Sequence, residues 1–105
     1  MNKKILFIAP HPDDETLGCG GTILKHKADG DAVFWLIMTA MKPEDGWAAD
    51  SIARREEEIR LVSGRYGFDK VFSLGFPAAR LDTVPLNQIV AGLSGVLCEA
   101  MPEVV

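Results

Sequence analysis

The chain has 105 residues, 48% of them hydrophobic and 25% charged, with a formal net charge of −4. That length holds one domain with one modest core, and the composition excludes disordered and fibrous classes. Lysines and arginines are scattered rather than gathered on one face, and no stretch approaches the roughly 20 apolar residues that span a bilayer, so neither nucleic acid nor membrane is an expected partner.

Residues 5–9 form a continuous apolar run, the pattern of a strand buried on both faces in a parallel sheet. The run is too short for a signal-peptide core and leads straight into charged residues. With Cys19 and Cys98 far apart and no CxxC spacing, the expected compartment is cytoplasmic, and both thiols read as reduced, small core hydrophobes. Residues 16–28 predict a helix with Leu17, Ile23 and Leu24 on its apolar side; His26, between Lys25 and Lys27, reads as solvated, and Gly30 stops the helix. Gly18-Cys19-Gly20-Gly21 lacks the GxGxxG spacing of a dinucleotide loop, so close helix packing is the reading there.

Residues 32–39 are a second buried strand with Trp35 in the core, and residues 41–49 are a loop that places Trp47 at a pocket mouth. Asp50 or Ser51 can cap a helix that runs to Tyr66 and stops at Gly67. Its apolar stripe, Ile52, Ile59, Val62 and Tyr66, has one charged member, Arg55. A guanidinium on such a line needs a partner, which is either Glu58 or a ligand. Residues 71–74 predict a short third strand and residues 75–82 a loop. Thr83 then caps a helix that reaches Ala100, in which Gly92 and Gly95 suggest close packing on the sheet. Pro102 ends that helix, and residues 103–105 begin a fourth strand. The order predicts an α/β fold: a Rossmann-like open parallel sheet with flanking helices, comprising three full βα units and the start of a fourth strand.

Chemistry concentrates in Ala9-Pro10-His11-Pro12-Asp13-Asp14-Glu15, which packs an imidazole, three carboxylates and two prolines into seven residues. Adjacent carboxylates repel unless a cation or a proton lies between them. A carboxylate-rich helix start accounts for Asp14 but not for His11 with prolines on both sides. Ligands of open α/β sheets bind beyond the carboxyl ends of strands, where this loop sits. Nitrogen and oxygen donors suit a zinc-like divalent ion, whose catalytic sites take three protein ligands; His11 and Asp14 supply two. A receiver-type module would also place paired aspartates after strand one, to hold magnesium, but Leu74-Gly75-Phe76 stands where its phospho-accepting aspartate would be needed.

This motif, continued by Thr16-Leu17-Gly18-Cys19-Gly20-Gly21-Thr22, closely resembles the signature of the LmbE-like (PIG-L-like) zinc-dependent N-deacetylases, and Arg55-Glu56-Glu57-Glu58 and Leu74-Gly75-Phe76-Pro77 extend the likeness. The resemblance implies a hydrolase that removes acetyl from an N-acetylglucosamine-type amino sugar or conjugate. In it His11 and Asp14 ligate Zn2+, or another divalent transition metal, Asp13 is the general base, and Arg55 lies near the substrate. Glu15 has no family role to inherit and is expected to hydrogen-bond a backbone N–H or a ligand residue. The family's third ligand, a histidine, and its general acid lie soon after the fourth strand. Residues 1–105 are therefore expected to be the N-terminal part of a larger deacetylase domain. The alternative is a non-catalytic fragment, or a metal- or ligand-binding α/β module that lacks the third ligand. Ala78 stands where many family members carry an acidic residue, which implies a different contact to the substrate. Assembly into a homo-oligomer stays open.

Overall fold

In a computed structural model, which describes residues 2–12 and 14–105 apart from the side chains of Glu15, Thr16 and Leu17, the apolar runs become parallel strands. Strand β1 (Lys4–Ala9) pairs with β2 (Ala32–Ala40), and β2 pairs with β3 (Lys70–Pro77). Helices α1 (Asp14–Ala28), α2 (Ala49–Tyr66) and α3 (Leu86–Ala100) make the crossovers. The sheet order is β1-β2-β3, and a single parallel bridge, Ile5↔Val104, joins β1 on its other edge. The chain thus builds outward from β1 in one direction and returns to the opposite side, so strand order reverses at β1.

Side-chain alternation along the strands divides the core in two. Ile5, Phe7 and Val33 meet Ile23 of α1 with Tyr66 and Phe68 on one face; Leu6, Leu36, Met38 and Phe72 meet Val96 and Ala100 of α3 on the other. Continuous hydrophobicity in β1 and β2 follows directly, because both faces are covered. Trp35 is fully buried and packs against Phe68 at 5.2 Å.

Two aspartates secure the amino edge of the sheet. Asp31 accepts the Lys3 amide at 2.8 Å, and Asp69 accepts the Val33 amide at 2.7 Å, each binding a backbone donor of the neighbouring strand region. Nδ1 of His26 lies 2.7 Å from the other oxygen of Asp31, and its ring meets Phe7 edge-on at 6.3 Å, so His26 is half-buried and paired rather than solvated. The Lys3 amide, and then His26, hold the Asp31 carboxyl below the usual carboxylate range. A depressed carboxylate adds stability that is present above its unfolded pKa, near 3.9, and is lost as pH falls through the folded value. Asp31→Asn keeps an acceptor but not the charge. Its unfolding free energy is expected to fall less steeply than the wild type's between about pH 4 and pH 2, as urea melts at several pH values would measure; parallel slopes would refute this.

Boundaries depart from the expectation at several places. Helix α1 starts at Asp14, and α2 starts at Ala49 after Ala48, with no side-chain cap, so neither Asp50 nor Ser51 caps it. Gly67, in the left-handed region at φ 72°, ends α2 as its sequence position suggested. Strand β3 continues through Gly75 to Pro77 instead of stopping at Leu74; Pro77 is tolerated because β3 is an edge strand. Thr83 is not the cap of α3: it closes a 3-10 turn, Leu81–Thr83, and donates its hydroxyl to Arg80 O, while α3 begins after Pro85. A Cβ on Gly92 would come within 3.1 Å of Leu74, so close packing holds there, but Gly18, Gly21 and Gly95 face open space. Cys19 and Cys98 are both exposed, not core residues, since each lies on the outward side of its helix.

Candidate active site

The loop after β1 is fastened to β2 through one carbonyl. Pro10 O accepts both the amide of Thr39, at 3.2 Å, and its hydroxyl, at 2.7 Å. Thr39 is buried at 3% exposure, so the backbone leading into His11 is set by the end of β2. Sequence reasoning passed over Thr39; its one signal was a hydroxyl closing an otherwise apolar strand.

His11 and Asp14 converge as their spacing required. The Asp14 amide donates to His11 O at 3.4 Å and the His11 amide donates to Asp14 Oδ2 at 3.1 Å, a reciprocal pair that opens α1. Nδ1 of His11 lies 3.5 Å from Asp14 Oδ2, with both side chains nearly half exposed. Two donors bound to one tetrahedral ion at about 2.1 Å lie about 3.4 Å apart. The separation matches that of adjacent ligands of such an ion, and the nitrogen–oxygen donor set suits zinc. Among the described residues no third His, Cys, Asp or Glu joins the pair. Asp13, the expected base, and the side chain of Glu15 lie outside the described residues.

Beside the pair a cleft of about 360 Å³ opens between α2 and the sheet. His11 and Pro12 form its rim, Ile37, Thr39 and Val71 its floor, and Ile52, Arg55 and Ile59 its α2 wall. Arg55 Nη1 lies 3.9 Å from Glu58 Oε2, the first of the two partners its position allowed, and its side chain lines the cleft. Trp47 borders the cleft as expected, and Ala78 contributes a buried methyl to the same wall. Toward the carboxyl end of β2 the register with β3 shifts between Ile37 and Thr39, two residues that line the cleft. Imidazole, carboxylate, guanidinium and an apolar recess thus meet at the carboxyl edge of the sheet, beside the strand where order reverses.

The chain is similar in sequence and in fold to known proteins. The PIG-L family model, described as GlcNAc-PI de-N-acetylase, matches residues 6–105. A diacetylchitobiose deacetylase of Thermococcus kodakarensis is 38% identical over 78 residues, covering 70% of this chain and 29% of that protein. Among solved structures, the N,N'-diacetylchitobiose deacetylase of Pyrococcus horikoshii superposes with a TM-score of 0.81 at 29% identity, over 97% of this chain and 39% of that one. The conserved protein TT1542 of Thermus thermophilus gives 0.75 at 36% identity, over 97% of this chain and 44% of its own. The chain spans less than half the length of each of these three relatives.

Proposed function

This chain belongs to the PIG-L (GlcNAc-PI de-N-acetylase) family, and from that premise we propose that it serves a metal-dependent hydrolase removing the acetyl group from an N-acetylglucosamine-type amino sugar or conjugate. The observation that carries this reading is the 3.5 Å approach of His11 Nδ1 to Asp14 Oδ2 at the rim of a cleft lined by Arg55. His11 and Asp14 would hold a zinc ion, which when bound would supply Lewis acidity toward the amide carbonyl and lower the pKa of a water. Asp13, kept off the metal, takes the proton of the attacking water as its oxygen bonds to the acetyl carbon. The C–N bond then breaks and leaves acetate and a free amine. Arg55 holds a polar group of the substrate, and Glu15 hydrogen-bonds a backbone N–H or a ligand residue. In this reading residues 1–105 form the front part of a larger deacetylase domain, whose following segment brings the third ligand and the acid that protonates the amine.

The second reading, a metal- or ligand-binding α/β module without catalysis, draws on the pair having only two donors among the described residues. Zinc titration and acetate release from N,N'-diacetylchitobiose, both measured on the extended chain, separate the two. Loss of supporting residues around metals costs 10–100-fold in affinity, so His11→Ala, which removes a ligand, is expected to weaken zinc binding by at least about 100-fold and to abolish chelator-sensitive acetate release. Zinc held by His11→Ala as tightly as by the wild type would sink the ligand assignment. Metal binding with no acetate released would favour the module.

A further inference from the structure

The cleft beside the His11–Asp14 pair is more apolar than a bare sugar requires. Ile37 and Val71 of the sheet, Ile52 and Ile59 of α2, and Met41 and Trp47 of the intervening connection all line it. Its polar groups are few and partly committed. Thr39 already donates its hydroxyl to Pro10 O at 2.7 Å, and Arg55, 3.9 Å from Glu58, is the cation that meets a polar group of the sugar in the proposed function, which leaves Ser73, Glu56 and the rim for any further polar atom. A pyranose carries several hydroxyls, and each one moved from water against a wall without a partner weakens binding. An alkyl or aryl group is favoured by the same transfer. Trp47 closes this apolar surface at the mouth, where its indole is 37% exposed although the residue lies in a polar loop.

We propose that the cleft receives an apolar substituent of the substrate: the preferred ligand is an N-acetylated amino sugar bearing an alkyl or aryl aglycone, and Trp47 is the residue that sets this preference. The inference rests on the deacetylase reading for the sugar and its acetamide, and on the cleft alone for the substituent. Trp47 covers one side of the substituent while Ile52 and Ile59 cover the other. The acetamide stays at the rim beside His11.

Calorimetric titration of the full chain with methyl and hexyl N-acetyl-β-D-glucosaminides tests it. The hexyl glycoside is expected to bind at least about tenfold more tightly. In Trp47→Ala the ratio of the two affinities falls toward one, and in Trp47→Phe it recovers; the exposed Leu61→Ala, on α2 away from the cleft, keeps the wild-type ratio. Equal affinities in the wild type, a ratio unchanged in Trp47→Ala, or no binding of either glycoside would overturn the proposal. So would hexyl glucoside, which has no acetamide, binding as tightly as the hexyl N-acetylglucosaminide. Acetate released equally from both glycosides would defeat the preference and leave the deacetylase reading intact. A Trp47-dependent hexyl preference without acetate release would do the reverse.

Discussion

In the extended chain, Asp13→Asn is expected to lower acetate release by about 10²–10⁴-fold while zinc affinity stays close to that of the wild type. Asparagine has the shape of aspartate but cannot take the proton of the attacking water, so the variant isolates the base from the metal. Asp14→Asn is the matched comparison. Its carboxylate lies 3.5 Å from His11 and is one of the two proposed metal donors, so metal content and rate should fall together. The two carboxylates are adjacent in the chain, and only their separate roles predict separate outcomes. An Asp13→Asn protein that binds zinc and keeps its full rate would show that another group accepts the proton.

The second large effect concerns Trp35. Its side chain is fully buried at the middle of β2, and its Nε1 has no hydrogen-bond partner among the described residues. Trp35→Ala empties the space between the sheet and Phe68 and is expected to cost about 3–5 kcal/mol, a large part of the stability of any single domain. Trp35→Phe behaves differently. It removes an unpartnered donor whose burial costs about 1–3 kcal/mol, which offsets much of the packing lost with the smaller ring. Urea denaturation should therefore place Trp35→Phe within about 1.5 kcal/mol of the wild type. A phenylalanine variant as unstable as the alanine one would show that the indole N–H has an acceptor.

Strands β1 and β2 were legible because burial on both faces writes itself as an unbroken apolar run, and the parallel order followed from strand–helix alternation. The carboxyl half of β3 was not, because Gly75 and Pro77 carry turn chemistry that an edge strand can absorb. The acidic loop announced the His11–Asp14 pair through local spacing. The pairings of Thr39 with Pro10, and of Asp69 with Val33, join residues about thirty positions apart, and no local pattern encodes them. His26 misled for a related reason: Asp31 is near it in sequence, but only the turn from α1 into β2 brings the two side chains together. The exposed cysteines show the limit of composition, since a small residue on an apolar helix can face either way.

The lone bridge at the free edge of β1 has a kinetic consequence. Lys3 meets Asp31 across 28 residues, whereas Lys4 meets Glu103 across 99, and closing the longer loop costs about 1 kcal/mol more in chain entropy. Fewer backbone bonds repay that larger cost. Strand β1 therefore has one edge zipped to β2 over six residue pairs and another held by one bridge, which is expected to open at lower free energy, as hydrogen exchange of the Leu6 amide would measure. The strand that delivers His11 to the rim is thus anchored by a six-pair ladder on its β2 side and by three backbone hydrogen bonds to residues 103 and 104 on the other.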